Sequence, residues 1–114
     1  MTISLDILRL AQSFAAHAAT RQQAISQNIA NANTPGYRTR DAVSFSEFLE
    51  RTRDGNSDGL IRPEARPVTA APNGNTVSLE HEMMRGAEVR QQHELALGVY
   101  STARDILRAV IAKR

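Results

Sequence analysis

Asn28-Ile29-Ala30-Asn31-Ala32-Asn33-Thr34-Pro35-Gly36-Tyr37 divides the chain into a helical part and an irregular part. Pro35 disfavours the helical region for Thr34, and Gly36 accepts a positive φ, so Thr34 to Tyr37 carries the signal of a type II turn. Asn33 is placed as the stop of the preceding helix. Upstream, Ile3 to Asn33 holds neither Gly nor Pro and is dominated by Ala, Leu, Gln and Arg, which favour helix. The spacing predicts one long helix in the segment 1–33, with Asn28 and Asn31 on one stripe of it.

The seam of that helix runs in alternating steps of three and four: Ser4, Leu8, Ala11, Ala15, Ala18, Gln22, Ile25, Ile29 and Ala32, an approximate heptad. The remaining surface has Asp6, Arg9 and Arg21 as its charges, among Ser, Gln, Asn, Thr, His and Ala. A face turned wholly to water usually carries more charge. Both a simple amphipathic helix with a polar back and a helix contacted on several sides fit this pattern.

Downstream of the turn, 34–77 reads as a linker. Between Arg38 and Thr76 lie six basic and six acidic residues, Pro63, Pro67 and Pro72, and Gly55, Gly59 and Gly74. Within it, Ser44 to Arg53 reads as a short helix presenting Phe45, Phe48 and Leu49, with Ser44 as N-cap and Glu47 completing a capping box. Asn73-Gly74 fits either the turn of a small β-hairpin between Val68–Ala70 and Thr76–Val77 or a flexible loop.

Helical periodicity returns in 78–114. Ser78 is the expected N-cap, Glu80 and Glu82 lie in the first turns, and Arg108, Lys113 and Arg114 lie near the end, as the helix dipole favours. Leu79, Met83 and Ala87 begin an apolar stripe. After the polar patch Arg90 to Glu94 it resumes at Ala96, Val99, Ala103, Ile106 and Val110, widened by Tyr100, Leu107 and Ile111. Gly86 and Gly98 each cost a helix about 1 kcal/mol relative to Ala, which suggests either a bend or a close approach by another backbone.

The fold class expected is mainly α: a single domain with two long terminal helices in an antiparallel, coiled-coil-like hairpin, joined by an irregular middle segment. At about 1.5 Å per residue such helices reach roughly 40 to 50 Å, long for 114 residues. With two Tyr, three Phe and no Trp, the chain has few large side chains for a core. Pairing the helices leaves apolar stripe exposed, so composition and periodicity predict assembly with further copies or similarly shaped partners.

Other function classes find little support. His17, His81 and His93 are dispersed, and no HExxH, GxSxG or phosphate-cradling Gly loop occurs, so no catalytic, cofactor or metal residues are assigned. There is no Cys, which excludes a disulfide framework and a thiolate site. The net charge of +2 comes from scattered residues. Arg38, Arg40 and the basic C-terminal end leave DNA binding by a helical hairpin as a rival, opposed by Asp41 and the mixed charges of the middle. No cleavable secretion signal and no membrane span of about 18 apolar residues is expected.

The stretch Asn28 to Tyr37 resembles the N-terminal signature of the flagellar rod and hook protein family. Gly74-Asn75-Thr76-Val77-Ser78-Leu79-Glu80-His81-Glu82-Met83 resembles the start of the last helix in one branch of that family, and Leu107 to Ile111 resembles its close. The resemblance covers both terminal helices and little of the middle. Distal rod and hook members insert whole domains between these helices, whereas fewer than fifty residues intervene here.

What the resemblance implies is a structural subunit of the proximal rod of the flagellar basal body, not an enzyme and without a cofactor. Its terminal helices would stack with copies of itself and other rod proteins into a tube that spans the periplasm and transmits torque. Contacts with the inner-membrane ring, a rod-base adaptor and the export gate are also implied, as is export by the flagellar type III apparatus. The assembly seam would comprise Leu8, Ala11, Ala15, Ala18, Ile25 and Ile29 on the first helix, and Leu79, Met83, Ala96, Val99, Ala103, Ile106 and Val110 on the last. A sibling proximal rod subunit and a helical-hairpin secretion chaperone or adaptor are the alternatives.

Overall fold

The computed structural model describes residues 2–64 and 68–113, without the side chains of Thr2 and Ser4. Ser4 of the expected seam, Pro67 and Arg114 therefore fall outside what is described. The elements are α1 (Thr2–Ala30), β1 (Arg40–Ala42), α2 (Phe45–Arg53), β2 (Ile61–Pro63) and α3 (Leu79–Ala112). Two long helices dominate, and the molecule measures 66 × 28 × 20 Å.

α1 and α3 run antiparallel. Arg21 reaches Glu88 and Gln92, the Phe14 carbonyl meets Gln92, and Ile7 lies beside Val99 and Ile106, so α3 numbers rise as α1 numbers fall. The seam between the helices is built largely from small side chains: Ala11, Ala18 and Ala24 with Ile25 on α1, and Val89, Ala96 and Ala103 on α3. Each alanine removes little apolar area from water, so this contact yields closeness more than energy. Ser78 caps α3 by accepting from the His81 N–H.

The middle segment folds over the hairpin. Ser44 accepts from the Glu47 N–H and starts α2. The Glu47 carboxylate, instead of returning to the cap, binds Arg51 one turn on and Arg62. Phe48 is buried, and Phe45 meets Phe14 edge to face at 5.0 Å. β1 and β2 pair antiparallel with Arg40 opposite Pro63 and Ala42 opposite Ile61, so α2 is the connection between them.

That ladder, and not one across Asn73-Gly74, is the small sheet of the molecule. A turn does form there: Gly74 has φ +85°, and its N–H donates to the Ala71 carbonyl at 2.8 Å. The residues beyond it spend their hydrogen bonds on the segment after α1, as described next, and no strand forms among the described residues of 68–77.

Candidate functional site

The helical hydrogen bonding of α1 tightens at its end. Asn31 N–H is shared between the Gln27 and Asn28 carbonyls, and Ala32 N–H and Thr34 N–H donate three residues back. Tyr37 N–H then donates to the Thr34 carbonyl, with Gly36 at φ +73°, which completes the type II turn.

Asn28 is fully buried one turn before that end. Its Nδ2 donates to the Arg40 carbonyl at 2.8 Å, and its Oδ1 accepts from Arg40 N–H at 2.9 Å and from the Tyr37 hydroxyl at 2.9 Å. The side chain thus serves both backbone groups of one residue, as a strand neighbour would, and fixes the outgoing chain against α1. Burial raises the Tyr37 hydroxyl pKa, keeping it protonated as the donor that Asn28 requires.

Asn75 ties in the approach to α3. Its Nδ2 donates to the carbonyls of Asn31 at 2.9 Å and Thr34 at 2.7 Å, and its Oδ1 accepts from Val77 N–H. Thr76 N–H donates to the Tyr37 carbonyl, and the Thr76 hydroxyl accepts from Thr39 N–H at 2.8 Å. The Gly36 N–H donates to the Asn73 carbonyl, and a Cβ on Gly74 would lie 3.4 Å from Gly36 Cα. The two glycine turns therefore lie against one another, and the segments 28–39 and 73–78 form one hydrogen-bonded unit.

Beneath this unit sits a buried charge cluster. Glu82 is inaccessible and Arg85 is 6% exposed. Arg85 pairs with Glu64, lies 3.6 Å from Asp41 and 3.5 Å from Glu82, and approaches the Arg40 carbonyl. One guanidinium joins α3 to the residues at the ends of β1 and β2. Among the described residues, no group of His, Cys, Asp and Glu is arranged to hold a metal ion.

A second polar contact fastens the middle of the hairpin. His17, 7% exposed, faces the Val43 carbonyl through Nε2 at 2.7 Å and Gln92 Nε2 through Nδ1 at 2.9 Å. The carbonyl accepts only and the amide nitrogen donates only, so the ring is neutral with its proton on Nε2. Burial lowers the His17 pKa, and nearby Arg21 acts in the same direction.

Of the sequence-derived seam, Ala11, Ala18, Ile25, Ala96 and Ala103 are buried within the chain, and Leu8 and Ala15 are partly covered. Ile29, Leu79, Met83, Val99, Ile106 and Val110 are exposed. In the first half of α3 the side facing the rest of the chain is Glu82, Arg85, Val89 and Gln92, one position off the apolar stripe. Of the signature, Asn28 is buried, Asn31, Ala32 and Tyr37 are partly covered, and Ile29, Ala30, Asn33, Thr34, Pro35 and Gly36 face outward. Asn75, Thr76, Glu82, Arg85 and Gln92 had no assigned part in sequence reasoning. Their signal is polarity at positions flanking or interrupting an apolar repeat.

Comparison with known proteins bears on this arrangement. The flagella basal body rod protein family matches residues 8–38, from the seam of α1 through the turn. A flagellar basal body rod protein FlgB of Escherichia coli K12 is 30% identical over 105 aligned residues, covering 73% of this chain and 76% of that protein. One from Cereibacter sphaeroides is 37% identical over 98, covering 68% and 73%. One from Agrobacterium fabrum is 25% identical over 111, covering 80% and 81%. The chain belongs to the flagellar basal body rod protein family, whose members are structural proteins and not enzymes. Within that family its likeness is to the FlgB proteins. Among the described residues, no helix is long and apolar enough to cross a membrane.

Proposed function

We propose that this structural rod subunit belongs to the proximal rod, where its terminal helices stack with those of neighbours into a tube that spans the periplasm and transmits torque. The observation that carries this reading is the division of labour along the hairpin. The end at Asn28, Asn75 and Arg85 is closed by buried polar contacts, while Ile3, Leu10, Leu95, Ile106 and Ile111 along the other part are each about half exposed or more. Exposed apolar residues at that density suit a surface to be covered by other subunits. The partners are copies of this chain and other rod proteins, with the inner-membrane ring, a rod-base adaptor and the export gate at the base, and delivery is by the flagellar type III apparatus.

The test is to tag the protein in its own bacterium and purify basal bodies. Co-purification with the rod, and loss of the rod on deletion, is the expected result. Absence from basal bodies with swimming intact after deletion would overturn the reading. In that case a soluble, stable dimer would favour a secretion adaptor.

A further inference from the structure

The hairpin leaves two unlike flanks uncovered. On one, Ile7 of α1 with Leu95, Val99 and Ile106 of α3 line an open apolar groove of about 450 Å³ with Glu94 at its edge. Leu95 and Ile106 are 59% and 52% exposed. On the other, Ala18 and Ala19 of α1 and Gly86 and Ala87 of α3 line a groove of about 770 Å³ edged by Arg90. Gly86 and Leu95 are nine residues apart, which at about 100° per residue places them on opposite sides of α3.

Gly86 is unexplained by the chain's own packing. It lies in the interior of α3, where glycine weakens the helix, yet no atom lies within 4 Å of where its Cβ would stand. A close neighbour from outside the chain would account for it.

We infer that the Leu95, Val99 and Ile106 flank of one subunit docks into the Gly86 groove of a second copy of this chain. The inference rests on the rod reading above and names the contact within it. A second copy supplies what each flank lacks: large apolar side chains for the groove, a cover for the exposed ones, and Glu94 at one edge to meet Arg90 at the other. Because the two surfaces differ, the contact is heterologous, leaves a free flank at each end and propagates. Val99 lies thirteen residues beyond Gly86, so parallel neighbours are offset by about 20 Å along the helix axis, as a helical tube requires and a flat ring does not.

The chain has no cysteine, so introduced thiols report contacts without background from the chain itself. Ala87→Cys and Val99→Cys variants are co-expressed in the native bacterium, and basal bodies are isolated and oxidised. A disulfide-linked dimer of this chain is expected when both variants are present, with neither variant cross-linking alone. Self-linking of either variant, linking only to a different rod protein, or no link in normally assembled rods would overturn the contact while leaving the rod reading intact. Absence of the protein from basal bodies would overturn both.

Gly86→Leu fills the groove without meeting the chain's own atoms. Unchanged thermal unfolding with at least a tenfold loss of incorporation is expected, and normal incorporation would refute the docking. Arg90→Glu or Glu94→Arg alone should reduce incorporation several-fold, and the two together should restore it. Failure of the exchange to rescue would count against the proposed pairing of edges.

Discussion

Replacing Asn28 with Ala tests whether a single side chain closes the end of the hairpin. The substitution strands the N–H and carbonyl of Arg40 and the Tyr37 hydroxyl, all of which hydrogen-bond to Asn28. Leaving a buried polar group without a partner costs about 1–3 kcal/mol. Arg40 is exposed and Tyr37 partly so, which lets water recover some of that loss. The expected cost is therefore about 3–4 kcal/mol, not the roughly 9 kcal/mol of three full penalties. That is a large share of the 5–15 kcal/mol typical of a folded domain. Urea unfolding followed by circular dichroism measures it, and Tyr37→Phe provides the control. Alone, Tyr37→Phe should cost about 1 kcal/mol; in the Asn28→Ala background it should cost almost nothing, because its partner is already gone. A cost below about 1 kcal/mol for Asn28→Ala, or equal costs of Tyr37→Phe in both backgrounds, would refute the lock.

The pH dependence follows from His17. Its folded pKa lies below the unfolded value of 6.5, so the unfolded chain takes up the proton first as pH falls. Its contribution is fully present above that value and is lost below it, with a slope of at most about 1.4 kcal/mol per pH unit; thermal melts from pH 8 to 5 should show it, and His17→Gln should flatten this component. Arg85→Ala should destabilise by about 3–5 kcal/mol in denaturant titrations, since it leaves Glu82 and Glu64 without their cation. Gly36→Ala should cost about 1 kcal/mol because φ is +73°, although no atom obstructs the added methyl, and Gly36→Asn should cost less. The isolated subunit should show less helix by circular dichroism than the 29 residues of α1 and 34 of α3, with the difference recovered on incorporation into rods.

Local chemistry made much of this fold legible. Pro35-Gly36 specified its turn, Ser44 and Ser78 specified the starts of α2 and α3, and uninterrupted helix formers specified α1, because each of these is decided within about one helical turn. The register of α3 was not legible in the same way. An apolar repeat draws attention to Leu79, Met83 and Ala87, but Glu82, Arg85 and Gln92 face inward because their partners Glu64, Asp41, His17 and Arg21 lie on other elements. Beyond Gln92 those cross-element partners end, and the alanines at 96 and 103 that the repeat marks are the ones buried. Similarly, Asn73-Gly74 announced a turn, but its neighbours Asn75 and Thr76 bonded to the distant segment after α1 and not across a hairpin.

The placement of side-chain sizes says what the hairpin is optimised for. A chain selected only for its own stability would put Ile, Leu and Met between its helices and Ala outside. Here alanines form much of the α1–α3 seam, while Ile3 and Met83 are 74% and 73% exposed. Burying a Leu- or Ile-sized side chain yields about 1.5–3 kcal/mol, so the larger hydrophobic gains are withheld from the single chain and remain available to a neighbour. Buried polar contacts hold one end instead, and they are directional where apolar contacts are not. Asn28, Asn75 and Arg85 can therefore set the angle and register at which the two helices leave the head, and fix the spacing of the exposed residues before any partner arrives. Such preorganisation lowers the ordering cost of association. On this view the polar end supplies geometry and the apolar flanks supply affinity, which is the division a subunit needs if it is to add to a tube in one orientation only.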